Sequence, residues 1–256
     1  MKVLTAAVAA LLMTCATLPA QDDMETNYNN LRAAVEGKKG AAEVKRLSVA
    51  VMAQAKKQMG PVPAGMEKDS WEEHAKYAEQ VAEFAEYALY SSSVGAPAAT
   101  AIDLVSTLEA QNPKSKYLTQ DAYVSVANAA MTAQMADRAS AFARKSLTAP
   151  KGAKPELAAG TAHYIVGVVA ATKNDFSTAD KELRAALPGI RGIPSMEGPA
   201  YYYLGSADYR LGRQSMDRTQ IDQGIKYTGQ SALISGQYQS LAAAALKTMR
   251  TEMGIK

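Results

Sequence analysis

The sequence predicts an all-α fold, a solenoid of about eleven helices stacked as roughly five helical hairpins. One observation is an apolar stripe at helical spacing, clearest in the segment Ala179–Ala186. Another is a small residue inside a helix that recurs along the chain, because Ala127, Gly167 and Gly205 lie 40 and 38 residues apart. Glycine inside a helix costs about 1 kcal/mol relative to alanine, so its recurrence predicts close contact with a partner helix. No segment shows the alternating pattern of a β-strand.

The N-terminal segment 1–20 has the pattern of a secretory signal peptide. Lys2 supplies a positive charge, an apolar run follows from Val3 to Met13, and Ala20 is a small residue before a polar segment. We predict cleavage after Ala20 and export to the periplasm or the cell exterior. Two alternatives are an uncleaved N-terminal anchor and acylation at Cys15, as in bacterial lipoproteins, although the residue before this cysteine is not the usual Gly or Ala.

Residues 21–65 are expected to form a pair of capping helices. A polar, frayed start gives way to a first helix from Asn27, and Gly37–Gly40 ends it. Apolar residues at helical spacing predict a second helix over Ala41–Met59. The prolines and glycines of Gly60–Gly65 then mark a linker to the repeats.

Residues 66–236 are predicted to hold the repeats, and 237–256 a C-terminal capping helix. A helix that starts at Trp71 is followed by one that contains Ile102 and Leu108, which Asn112-Pro113 ends. The remaining helices are predicted over Tyr117–Gln134, Asp137–Thr148, Lys154–Lys173, Ser177–Leu187, Pro199–Gly212, Asp217–Ser235 and Tyr238–Met253.

One complete hairpin carries small, aromatic and large apolar residues in a fixed order: Val166, Gly167, Asn174, Phe176, Ala179, Leu183, Ala186 and Leu187. This order resembles the tetratricopeptide repeat, although the spacing exceeds the usual period of about 34 residues. The resemblance implies a right-handed solenoid in which the first helix of each hairpin lines an inner, concave surface. It also implies binding of a protein or peptide partner in that groove.

The resemblance places six candidate partner-binding residues on the inner surface: Asp121, Asn128, Tyr164, Tyr202, Tyr209 and Arg210. The chain has 13 tyrosines against three phenylalanines and one tryptophan, and tyrosine and arginine are frequent interface anchors. For Tyr201 and Tyr203 we expect packing partly in the core. Asn128 alone does not supply the paired Lys and Asn set with which the family binds a C-terminal carboxylate.

Composition excludes several functions. Cys15 is the only cysteine, so a chain cleaved after Ala20 has no disulfide, thiol nucleophile or thiolate metal site. The two histidines, His74 and His163, fall in different units without metal-ligand spacing, and no phosphate-binding or dinucleotide motif is present. The charges nearly balance, with 28 basic and 25 acidic residues, and no basic stripe predicts a nucleic-acid partner. We therefore expect no enzyme activity, cofactor, metal or membrane-spanning segment after residue 20.

These observations favour a non-catalytic protein–protein interaction scaffold of the bacterial cell envelope, which binds a peptide or a helix in its concave groove. One alternative is a fixed subunit of an outer-membrane or envelope assembly complex. Another is an enzyme that acts on cell-wall glycans from an α-superhelical scaffold, with Glu72 or Glu73 as its acid. The second alternative is disfavoured because the chain has no room for a separate catalytic domain.

Overall fold

A computed structural model describes residues 19–254 of the chain, with side chains from residue 24 onwards. These residues form eleven α-helices and no β-strand, which confirms the predicted all-α class. In chain order the helices are α1 (Pro19–Glu36), α2 (Ala41–Gln58), α3 (Lys68–Ser93), α4 (Ala98–Gln111), α5 (Gln120–Thr132), α6 (Ala136–Thr148), α7 (Pro155–Thr172), α8 (Phe176–Ile190), α9 (Pro194–Ser215), α10 (Arg218–Leu233) and α11 (Gln239–Glu252). Apart from the first residues of α1, the predicted signal segment lies outside the described residues.

The chain divides into two compact units, one up to Ser92 and one from Ser93. The first unit holds α1, α2 and nearly all of α3. Here α1 packs beside α2, and the ring of Tyr28 on α1 meets that of Phe84 on α3 edge-on at 5.4 Å. The predicted linker is held at one end, where the Trp71 indole N–H donates to the carbonyl of Gly60 at 3.0 Å.

The second unit contains α4–α11, whose helices pack in consecutive pairs as a helical-repeat array does. α5 pairs with α6, α7 with α8, and α9 with α10. The second helix of each pair also packs against the first helix of the next pair, so α6 contacts α7, α8 contacts α9 and α10 contacts α11. The first helices contact one another as well, from α5 through α7 and α9 to α11.

The turn inside each of these pairs has the same geometry. Gln134, Asn174 and Met216 adopt left-handed backbone angles, with φ of +59°, +60° and +58°. In each turn the next backbone N–H donates to the carbonyl five residues earlier, at 2.8–2.9 Å, which is the bond that closes a Schellman motif. The α1–α2 turn repeats this arrangement at Lys38, with φ of +49°. A common turn therefore defines the repeat more sharply than any single side chain.

The two recurring glycines face partner helices, as predicted. A Cβ atom on Gly167 would lie 2.6 Å from Leu183 Cγ on α8, and one on Gly205 would lie 2.3 Å from Thr228 Oγ1 on α10. Ala127 is fully buried. A side chain at either glycine would therefore collide with the neighbouring helix, which explains why glycine is accepted inside these helices.

In the α9–α10 pair, the residue equivalent to Gly167 lies one helical turn away from Gly205, the position that the sequence pattern predicted. Ala127 and Gly167 both lie seven residues before the left-handed turn residue of their hairpin, but that position in α9 belongs to Tyr209 rather than Gly205. Space for the larger residue comes from α10, where a Cβ on Gly224 would lie only 2.5 Å from the Tyr209 backbone nitrogen. In this pair the small residue at the close contact is therefore Gly224 on α10. Gly205 on α9 makes a second close contact, with Thr228.

Several helix boundaries differ from the prediction, and three of them involve prolines. α1 begins at Pro19, so the polar residues expected to be frayed are helical. α8 continues through Pro188 to Ile190, and α9 begins at Pro194 rather than at Pro199, which lies inside the helix. Proline is well suited to the first helical position, because its missing N–H has no intrahelical acceptor there. The predicted start of α9 was wrong because it was placed at Pro199, the second of two nearby prolines, rather than at Pro194.

Candidate functional site

A groove in the second unit lies between α9 and α11, and we call it the α9–α11 groove. Its volume is about 500 Å³. Its walls combine aromatic, apolar and charged side chains, namely Phe176, Tyr202, Ser206, Tyr209, Arg210, Arg213, Gln214, Ala245, Thr248, Met249 and Glu252. Three of the six predicted binding residues, Tyr202, Tyr209 and Arg210, are thus brought together in one place.

Arg210 is the exposed member of this trio. Its guanidinium carbon lies 5.3 Å from the centre of the Phe176 ring at the start of α8, a cation–π distance. Stacking of this kind orients the guanidinium and leaves its N–H edge available to other acceptors. Sequence analysis did not predict Phe176 as part of the site, because the contact depends on how α8 meets α9.

Tyr209 is buried and holds α11 against α9. Its hydroxyl donates to Glu252 Oε2 at 2.7 Å and accepts a hydrogen bond from Arg213 Nη1 at 3.1 Å. Arg213 also pairs with Glu252 directly at 3.0 Å. Burial and the hydrogen bond to the Glu252 carboxylate raise the pKa of Tyr209. Tyr209 therefore forms the wall of the groove rather than a free binding group.

Tyr202 belongs to a tyrosine cluster at the other end of the groove. Its ring centre lies 5.3 Å from those of Tyr203 and Tyr238, and the hydroxyls of Tyr203 and Tyr238 are 3.0 Å apart. Tyr203 and Tyr164 pack against the buried core, as expected for Tyr203. Burial, followed by the nearby Tyr238, raises the pKa of Tyr164 to about 12. Tyr201 instead stacks on Tyr227 of α10, at 5.8 Å.

The other predicted residues do not line this groove. Asp121 is in the first turn of α5 and accepts a hydrogen bond from the backbone N–H of Ala153 at 2.6 Å, which fixes the loop before α7. Asn128 is half-buried further along α5. Asn128 lies six residues before the left-handed turn residue of its hairpin, and Val168 and Arg210 occupy the same position in theirs. The three positions are equivalent on successive first helices.

A charged cluster between α8, α9 and α10 was not foreseen. Asp208 is fully buried, and Arg184 Nη2 donates to its two carboxylate oxygens at 2.8 and 2.6 Å. Arg184 also donates to Asp180 at 2.6 Å and to the Tyr227 hydroxyl at 3.1 Å, while Gln220 is 3.5 Å from Asp208. Burial, with the neighbouring Asp180 carboxylate, raises the pKa of Asp208 to about 6 although Arg184 acts in the opposite direction.

His163 and Glu72, which the sequence offered for metal or acid chemistry, each contact a neighbouring charged side chain. His163 Nδ1 lies 2.7 Å from Glu182 Oε2 within the α7–α8 pair. Glu72 is exposed and lies 3.5 Å from Lys68, one helical turn earlier in α3, and Glu73 is exposed. Across the part of the chain that the structure describes, no three histidine, cysteine, aspartate or glutamate side chains converge as a metal site would require.

No protein-family model matches the chain, and no curated protein matches it either. The tetratricopeptide resemblance therefore stays a prediction from the residue pattern. None of the helices between Pro19 and Glu252 combines the length and the apolar character needed to cross a membrane.

Proposed function

We propose that the chain is a non-catalytic protein-binding scaffold of the bacterial cell envelope, and that it holds a peptide or a helix in the α9–α11 groove. The observation that carries this proposal is the groove of about 500 Å³ itself, whose walls include Tyr202 and Arg210. Tyrosine and arginine bury a large area while keeping a polar end, which makes them common anchors of protein interfaces. The repeat-like packing of the second unit supports the same proposal, because stacked hairpins offer extended binding surfaces.

Peptide selection tests this function directly. A displayed library of random peptides is selected on the purified chain, on Tyr202→Ala and on Tyr201→Ala. Tyr201 is the matched control, because it is also a half-buried tyrosine of α9 but stacks on Tyr227 outside the groove. We expect enrichment on the parent chain and on Tyr201→Ala, and its loss on Tyr202→Ala. If the folded parent chain enriches no peptide, the scaffold function is wrong.

Location in the cell envelope rests on the N-terminal segment 1–20, and it has its own test. Expressed in a bacterial host, the protein should be recovered from the periplasm with an N-terminus at Gln21. Intact mass measurement reports this cleavage and would also reveal acylation at Cys15. A cytoplasmic protein of full-length mass would contradict the proposed location without affecting the binding function.

A further inference from the structure

The charges of the α9–α11 groove do not balance. Arg213 and Glu252 form an ion pair at 3.0 Å, so their charges offset each other. Arg210 is exposed, stacks on Phe176, and makes no ion pair with any residue between 24 and 254. The groove therefore presents one uncompensated positive charge at a fixed orientation.

The single carboxylate of the groove is already engaged. Glu252 Oε2 accepts hydrogen bonds from the Tyr209 hydroxyl at 2.7 Å and from Arg213 at 3.0 Å. A basic ligand would have to displace these partners, and it would also meet Arg210. An acidic ligand meets a guanidinium whose N–H groups can donate without breaking an existing ion pair.

The position of this charge along the array is also informative. The residues equivalent to Arg210 on the two preceding first helices are Val168 on α7 and Asn128 on α5, and neither carries a charge. At this equivalent position, a ligand that lies across α5, α7 and α9 would therefore meet a cation only on α9. Apolar walls adjoin that cation, since Phe176, Tyr202 and Met249 line the same groove.

We infer that the α9–α11 groove binds an acidic peptide segment, in which an Asp or Glu side chain pairs with Arg210 and a neighbouring apolar side chain packs against Phe176 and Tyr202. This inference rests on the proposed scaffold function. The carboxylate is assigned to a side chain because capture of a chain terminus needs several converging donors, whereas the groove offers one free cation. Arginine stacked on a ring is well suited to bind a carboxylate through two parallel hydrogen bonds.

The test uses random peptides that are acetylated at the N-terminus and amidated at the C-terminus, so that only side chains carry charge. The peptides are immobilised, and the binding of the parent chain, of Arg210→Gln and of Arg218→Gln to them is measured. Arg218 is a matched control, because it is an exposed arginine of α10 outside the groove. The strongest binder is then compared with its Glu→Gln or Asp→Asn counterpart by fluorescence anisotropy.

We expect the peptides that bind the parent chain and Arg218→Gln to be enriched in Asp and Glu, and this enrichment to disappear for Arg210→Gln. Neutralising the acidic residue of the best peptide should weaken its binding to the parent chain about tenfold, and hardly change its binding to Arg210→Gln. Peptides that bind without acidic enrichment would overturn this inference and leave the scaffold function standing. If no capped peptide binds at all, the inference and the proposed function both fail.

Discussion

Asp208 is the residue whose surroundings have the clearest consequence for stability. It lies in α9 with no solvent exposure, and it shares Arg184 with Asp180, so one cation faces two carboxylates. Removing a carboxylate from water favours its neutral form, and a second carboxylate nearby favours it further. The pKa of Asp208 therefore rises to about 6 from its ordinary value of 3.8.

This shift predicts an unusual pH dependence. Because the folded chain holds the Asp208 proton more tightly than the unfolded chain, the proton stabilises the fold below pH 4, and this contribution is lost as the pH rises through about 6. Asp208→Asn mimics the protonated form at every pH. The free energy of unfolding of the parent chain, measured relative to that of Asp208→Asn by urea titration, should fall by about 1–3 kcal/mol from pH 4 to pH 7. If the free energies of unfolding of the two proteins changed with pH in parallel, the raised pKa of the buried Asp208 would be contradicted.

Single residues show where sequence reasoning works and where it stops. The tetratricopeptide resemblance predicted Tyr202, Tyr209 and Arg210 on one surface, and all three line one groove. It could not show that Tyr209 is a wall, since its partner Glu252 is 43 residues away. Nor could it separate Asp208 from a solvated surface charge, because Arg184 lies 24 residues earlier, on another helix.

At the scale of the helix pair, the close approach of α7 and α8 makes a direct prediction. A Cβ atom on Gly167 would lie 2.6 Å from Leu183 Cγ and 3.1 Å from the Leu183 backbone nitrogen. Gly167→Ala should therefore lower the free energy of unfolding by about 1–3 kcal/mol, because the helix–helix clash outweighs the gain in helix propensity. Thermal or urea denaturation measures this change.

Gly229 is the matched control for this prediction. It also lies inside a helix, α10, but a Cβ atom there would meet only Leu246 Cδ2 at an ordinary 3.9 Å. Gly229→Ala should raise the free energy of unfolding by up to about 1 kcal/mol through propensity alone. Equal effects of the two substitutions would show that close packing does not explain the glycine at position 167.

The helices themselves were largely predictable, and the errors share a physical cause. Apolar spacing and breakers gave eleven helices in the correct order. The register of the third pair was wrong because Gly205 and Gly212 both suit close packing, and only the turn at Met216 shows which residue is equivalent to Gly167. Nothing in the sequence indicates that Met216 adopts a left-handed backbone conformation, since such turns usually use glycine or asparagine.

On the scale of the whole second unit, stability should follow neighbour relations along the chain. Among α4–α11, the helices that pack together are adjacent or separated by one helix, from the α4–α5 pair to the α9–α11 pair. Such an array behaves as a sum of hairpin stabilities and nearest-neighbour interfaces. A defect in one hairpin is therefore expected to weaken its neighbours more than the distant helices.

Leu183→Ala tests this expectation, because Leu183 is fully buried in α8 and packs in the cluster that α8 forms with α7 and α9. The cavity should cost about 2–5 kcal/mol. Amide hydrogen exchange should accelerate most in α7 and α8, next in α6 and α9, and least in α4 and α11. Leu233→Ala, at a leucine that is 84% exposed at the end of α10, should change neither stability nor exchange. Uniform acceleration from α4 to α11 after Leu183→Ala would instead mean that the unit unfolds as one cooperative core, and the nearest-neighbour description would have to be abandoned.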